Sequence, residues 1–320
     1  MNTRSRAWLA LAVAGLLAPL PARAFDPFPV AGGPGEHTRL LEAALGCGGQ
    51  DRPDCWTPPA LDRLQPALRR PDITAITVWN PAHCDGGDPP ADGEAVRGRR
   101  GPAALFACRD WIRSELAAAV RAADRLVDSR GVAKRVRGTC GTFLLGDPDA
   151  LCAVDHHFGR ALHAAQDFYS HTNWTDRPLP AAEVSLARPQ GLGGTGPIPW
   201  LAPQDAGPPP AGLMSGCFTF FPESLFCRGR TRHEHLNKDR RAGPETPPVG
   251  ATPRGAADGN FPRAFDAAAG ETIRVWGDLQ SRLMATYGET RGRAMACVLR
   301  TGSAASCAPV ISIRPRQTPG

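Results

Sequence analysis

The sequence has 320 residues, and its 37 Lys and Arg against 31 Asp and Glu give a formal net charge of +6. Gly (35) and Pro (33) fill about a fifth of the chain, yet 42% of it is hydrophobic. That balance excludes a wholly disordered chain and predicts a globular core carrying long loops. Only Lys134 and Lys238 are lysine, the arginines are scattered, and there are two Tyr, so no concentrated nucleic-acid footprint exists.

Arg4 and Arg6, the apolar stretch Ala7 to Leu20 and the small-residue site Ala22-Arg23-Ala24 read as a cleaved secretory signal over 1–24. The apolar run is shorter than the roughly 20 residues of a membrane span. Removing it takes three arginines and no acid, leaving 296 residues and a charge of +3. Export makes the ten cysteines legible as disulfides. Neighbours pair as Cys47 with Cys55, Cys140 with Cys152, Cys217 with Cys227 and Cys297 with Cys307, which leaves Cys84 with Cys108. Spacing alone does not fix that connectivity; zinc ligation by cysteine is the competing reading, but no C-x2-C pair exists.

Helical periodicity dominates the rest of the chain. Short helices fit Glu36 to Leu45 and Pro59 to Leu68, and the best strand candidate is Ile73 to Trp79. Asp110 to Ser129 puts Ile112, Leu116, Ala119, Val120, Ala123, Leu126 and Val127 on one stripe. Asp149 to Trp174 and Phe261 to Tyr287 are the other long helices. Pro178 to Gly216 and Gly243 to Gly259 are aperiodic, Pro/Gly-rich insertions, of the length that marks lids or flexible segments. The organisation expected is one all-α domain over 25–307, a helical bundle with two long insertions, followed by a frayed tail at 308–320.

Within the second long helix stands Gly159-Arg-Ala-Leu-His-Ala-Ala-Gln-Asp-Phe-Tyr-Ser-His-Thr-Asn-Trp174. His163, Asp167 and His171 recur every four residues, and four steps advance roughly 40°, so they share a helix face. Two imidazoles flanking a carboxylate among Ala161, Leu162, Ala165 and Phe168 suit divalent metals better than an apolar core, and Asp167 can bridge two ions. Further ligands must come from the other polar clusters. These are His37, Asn80-Pro-Ala-His-Cys-Asp85 with Asp72 upstream, and Arg232-His-Glu-His-Leu-Asn-Lys-Asp239. His156 and His157 lie earlier on the same helix, where His156 supports the ligands or both are satisfied helix histidines.

These residues resemble a family. The helix motif is similar to the signature of the Het-C type proteins, relatives of the zinc-dependent phospholipases C and the fungal zinc single-strand nucleases. The H-C-D at His83 resembles that family's H-F-D, and Leu213-Met-Ser-Gly-Cys-Phe and the H-x-x-L-N-K-D ending at Asp239 match in order. The resemblance covers about 37 to 240. It implies a helical bundle of zinc-dependent phospholipase C type holding up to three zinc ions. The free α-amino group of the processed terminus, Phe25, and His37 would bind one ion; relatives begin with Trp, so Phe25 is a departure. Asp72, His83, His163 and Asp167 would hold another, and Asp167 would reach a second ion. His171 would join His233 and Asp239 at the third, with His235 as the alternate to His233.

Clustered zinc ions bind phosphate oxygens and activate water. The activity expected is therefore phosphodiester hydrolysis, phospholipase C-like, with Asp72 as ligand and base. A phospholipid is the favoured substrate, with at most peripheral membrane contact and no stable nucleic-acid partner. A nuclease-like phosphodiesterase and a secreted, zinc-stapled binding module without catalysis are the alternatives.

Overall fold

A computed structural model describes residues 35–46, 54–73, 80–89, 101–134, 136, 140, 149–202, 204, 207–219, 223–239 and 252–307. Among these residues all regular structure is helical, and β pairing is confined to the isolated bridges Val127–Ala133, Thr172–Ser215 and Cys217–Arg232. The chain is all-α, as its periodicity implies. Residues 1–24, Phe25 and 308–320 lie outside the described residues, as do 74–79 of the candidate strand. Ile73 itself closes a helix.

The main helices are α1 (Glu36–Leu45), α2 (Pro58–Ile73), α3 (Asn80–His83), α4 (Pro102–Ala123), α5 (Ala150–His171), α6 (Asn260–Tyr287) and α7 (Glu289–Thr301). α2 runs beyond the expected Leu68, because Leu64, Leu68, Pro71 and Asp72 keep one face buried to its end. α4 starts before the expected Asp110: Pro102 suits a first helical turn, and Ala104, Leu105 and Cys108 extend the apolar stripe. α4 stops at Ala123, where a 3-10 turn over Asp124–Leu126 gives way to extended Val127.

α5 is the axis of the molecule, packed against α2, α4 and α6. Asp149 caps its start, Oδ1 accepting from the Leu151 amide at 2.8 Å. Every residue from Ala161 to His171 is buried, so this half of the helix is enclosed on all sides. The helix ends at His171, not Trp174, because Thr172 turns extended and its Oγ1 donates to the Phe168 carbonyl at 2.6 Å. Gly159 is what lets α2 come this close. A Cβ there would lie 2.7 Å from Ala67 Cβ and 2.8 Å from the Leu68 amide nitrogen.

The insertion after α5 is packed onto the bundle. Ile198, Trp200 and Leu201 are buried, and the Ile198 amide donates to Tyr169 Oη at 2.8 Å. Arg109 of α4 lies over both the Phe106 and Trp200 rings, 4.8 and 4.6 Å from their centroids. Disulfides join Cys84–Cys108, Cys140–Cys152, Cys217–Cys227 and Cys297–Cys307, four of the expected pairs. Cys55 is also disulfide-bonded; its expected partner Cys47 lies outside the described residues.

Candidate metal centre

Two adjacent clusters of buried His and Asp form along the C-terminal half of α5. The first gathers His37 from α1, Asp72 from the end of α2, His83 from α3, and His163 and Asp167 from α5. All five are between 0% and 4% exposed. Asp167 divides its carboxylate. Oδ2 lies 2.9 Å from both His83 Nδ1 and His163 Nε2, while Oδ1 lies 3.2 Å from His37 Nε2. Asp72 divides the same way from the other side. Its Oδ2 is 3.8 Å from His37 Nε2, and its Oδ1 is 3.9 Å from His83 Nδ1 and 3.8 Å from His163 Nε2.

The donors fit a metal. A tetrahedral ion with bonds of about 2.0–2.1 Å separates its ligand atoms by about 3.3 Å. The tightest ligand pairs here span 2.9 to 3.2 Å, including 3.1 Å between His163 Nε2 and His83 Nδ1. Two imidazole nitrogens turned toward one buried carboxylate oxygen are a poor core pairing and a good ligand set. His37 is also oriented from behind. The Thr272 hydroxyl donates to the Ala268 carbonyl at 2.9 Å, so its oxygen accepts from Gln166 Nε2 at 3.1 Å. That fixes Gln166 Oε1 toward His37 Nδ1 at 2.7 Å, where it accepts the ring proton. Nε2 is then the basic nitrogen, aimed at both carboxylates.

The second cluster holds Asp85, His171, His233 and Asp239, all at most 2% exposed. His233 Nδ1 lies 3.0 Å from Asp85 Oδ1, His171 Nε2 lies 3.3 Å from Asp239 Oδ1, and the two rings meet at 4.3 Å. His171 Nδ1 donates to the His83 carbonyl at 2.7 Å, which ties the clusters together. Ser170 Oγ donates to Asp239 Oδ1. Asp239 Oδ2 accepts no hydrogen bond among the described residues and has His233 Nε2 only at 4.0 Å, a buried carboxylate oxygen that suits a cation.

Local backbone delivers these groups. Cys84, between His83 and Asp85, has φ 58°, and its side chain is bonded to Cys108 of α4. Gly216 lets the 213–217 segment touch the strand-like stretch before His233, since a Cβ there would lie 2.4 Å from Arg232 and His233 backbone atoms. Fully buried Lys238 donates to the carbonyls of Thr172 and Leu236, each at 2.8 Å, and pairs with Asp176 at 3.1 Å. It thereby fastens the residue after His171 to the segment that ends in Asp239.

The electrostatics of the two clusters differ. Burial holds the His163 ring down to about 3, with His37 and His83 also pushing it down against the pull of Asp167. Burial opposes ionisation of Asp167, but the charge and hydrogen bonds of His163, His37 and His83 overcome it and hold Asp167 well below the usual carboxylate range. Neutral imidazole and ionised carboxylate are the forms a metal ligates. In the second cluster burial would lower His171 and His233, yet Asp85 and Asp239 outweigh it, raising His233 and pushing His171 up to about 10. Two carboxylates thus demand positive charge at this position.

Eight of the nine expected ligands converge: His37, Asp72, His83, His163 and Asp167 in one cluster, and His171, His233 and Asp239 in the other. Phe25 lies outside the described residues. His37 and His83 meet on opposite oxygens of the Asp167 carboxylate. His235 stands apart, its Nδ1 accepting the Arg232 amide at 3.0 Å. His156 and His157 face Arg160 and Glu115, at 3.2 and 2.7 Å. Asp85 and Gln166 were not expected as site residues, although each stands inside a recognised motif. Both clusters consist of buried groups able to hold a metal ion. Comparison of the chain with family models, curated proteins and solved structures finds no match.

Proposed function

We propose that this chain is an exported, zinc-dependent phosphodiester hydrolase of phospholipase C type, with a phospholipid as the favoured substrate class. One observation carries the reading. Asp72 and Asp167 each turn one oxygen to His37 and the other to the His83–His163 pair. Paired carboxylates divided this way suit two adjacent divalent ions, the arrangement used for in-line displacement at phosphorus. His171, His233, Asp85 and Asp239 would hold a further ion, and the resemblance of the α5 motif to the Het-C type proteins agrees with zinc. When bound, such ions supply Lewis acidity toward phosphoryl oxygens and activation of water.

The protein's own groups do the rest. Gln166 keeps His37 in the tautomer that presents Nε2, and the His83 carbonyl orients His171. Asp72 lies beside both His37 and the His83–His163 pair, with imidazole nitrogens at 3.8 and 3.9 Å, a position from which a carboxylate can orient an attacking water and take its proton. The disulfides favour an oxidising compartment, in line with export through the signal segment.

A second reading, a zinc-stapled binding module, draws on the near-complete burial of every ligand, since structural sites are closed and catalytic ones keep a position open. One experiment separates them. Protein exported through an oxidising compartment is assayed for bound metal and for hydrolysis of a chromogenic phosphodiester and a choline phospholipid. Turnover abolished by Asp167→Asn supports the hydrolase. Stoichiometric zinc with no turnover on lipid, nucleic-acid or generic phosphodiesters assigns the module, and absence of bound metal rejects both.

A further inference from the structure

We propose that the turn carrying Leu225 and Phe226, next to the Cys217–Cys227 disulfide, docks the protein on a phospholipid bilayer, with these two side chains inserted among the acyl chains and Arg228 at the headgroups. The proposal deepens the hydrolase reading by placing its substrate in a membrane, and to that extent rests on it.

Leu225 is 67% exposed and Phe226 60%, on a single helical turn, Glu223–Phe226. A soluble chain gains nothing from holding two adjacent large apolar side chains in water. Arg228 comes directly after Cys227 and is exposed, so an apolar tip is flanked by a cation whose stem can lie along lipid while its head reaches phosphate.

The base of the loop is rigid and adjoins the metal centre. The Cys217–Cys227 disulfide closes it over ten residues. The Cys217 amide donates to the Thr231 carbonyl at 2.8 Å, and the His233 amide donates back to the Cys217 carbonyl at 2.9 Å. The Phe218 ring lies 5.0 Å from the His233 ring. Val184 and Leu186 are also exposed, and the backbone at Leu186 hydrogen-bonds His235, two residues beyond His233.

A bilayer fits this patch better than a protein partner. A few side-chain tips fall well short of the roughly 800 Å² per partner that a stable protein interface buries. An interfacial contact needs only apolar tips and a cationic flank. No helix among the described residues is long and apolar enough to cross a membrane, so the contact is one of docking.

The test is sedimentation of the metal-loaded protein with vesicles of phosphatidylcholine, and of phosphatidylcholine mixed with phosphatidylglycerol. Wild type is expected to partition onto both, more strongly onto the anionic mixture. Leu225→Ser combined with Phe226→Ser should lower partition about tenfold or more on both vesicle types. Arg228→Gln should lower it severalfold on the anionic vesicles and flatten its salt dependence. Matching thermal midpoints exclude misfolding, as expected for exposed positions. The proposal is overturned if wild type ignores vesicles, or if the double variant binds them as wild type does. It is also overturned if the double variant instead abolishes a concentration-dependent dimer, which would assign the patch to a second copy of the chain. Because partition and not turnover is read, loss of this proposal leaves the hydrolase reading intact, and vesicle binding without hydrolysis does the reverse.

Discussion

Gln166→Leu isolates the orientation of His37 from its identity as a ligand. The chain Ala268 carbonyl, Thr272 hydroxyl, Gln166 amide, His37 ring runs in one direction only, because a carbonyl cannot donate. Leucine removes the acceptor for the Nδ1 proton, so the tautomer that presents Nε2 to Asp167 at 3.2 Å is no longer favoured. Loss of such a supporting bond weakens metal affinity about 10–100-fold, equivalent to about 1.4–2.7 kcal/mol. Competition with a chromogenic zinc chelator reads this directly. The Asp85–His171–His233–Asp239 cluster serves as an internal reference, since the Gln166 side chain hydrogen-bonds His37 and Thr272 and not that cluster. Gln166→Glu is the control. A carboxylate still accepts from Nδ1, and the Thr272 hydroxyl can turn from Ala268 to donate to it. Affinity should fall with Leu and survive with Glu. Equal loss in both variants would show that Gln166 acts by packing alone, and no loss in either would remove His37 from the metal centre.

Gly159→Ala should destabilise the fold and weaken metal binding together. Overpacking against Ala67 and Leu68 costs about 1–3 kcal/mol, only partly offset by about 1 kcal/mol of helix propensity, and α2 carries Asp72. A raised thermal midpoint in the chelated protein would contradict the close crossing. His233→Ala should lose one equivalent of metal. His235→Ala should keep the full complement and cost about 0.5–1.5 kcal/mol for the lost bond to the Arg232 amide, which metal counting beside denaturant titration distinguishes. Burial first, and then the charge of Arg160, His157 and Arg70, holds His156 down to about 3 against an ordinary value of 6.5. The folded state therefore binds fewer protons than the unfolded state, and this contribution, complete above 6.5, is lost as pH falls toward 3. His156→Gln should flatten the acid limb of stability against pH; an unchanged slope would refute the assignment.

Local pattern exposed what depends on local pattern. The i, i+4, i+8 spacing of His163, Asp167 and His171 is a property of α5 alone, and the structure keeps all three in the clusters. The choice between His233 and His235 turned on secondary structure that spacing does not reveal. An α-helix would have aligned His235 with Asp239, but His233–His235 is a 3-10 turn. At three residues per turn, positions two apart point to different sides, so only His233 faces inward. α7 escaped because ETRGRAMACVLRT carries a thin apolar stripe, Met295, Ala296, Val298 and Leu299, interrupted by polar residues. The Gln166–Thr272 bond joins α5 to a helix a hundred residues later, and nothing in either segment announces the other.

Asp85 shows most clearly why a motif exceeds its ligands. In extended backbone, His83 and Asp85, two positions apart, would point to the same face. Cys84 supplies the turn by adopting φ 58°, a left-handed conformation costly for any residue with a Cβ. Glycine would take that conformation at less cost, so the side chain itself must contribute, and the bond to Cys108 anchors the turn to α4. His83 then meets Asp167, Asp85 meets His233, and the His83 carbonyl between them receives the His171 proton. The three residues of H-C-D are thus a joint between the two clusters, and the disulfide that looks from sequence like a loop staple holds the separation at which they work.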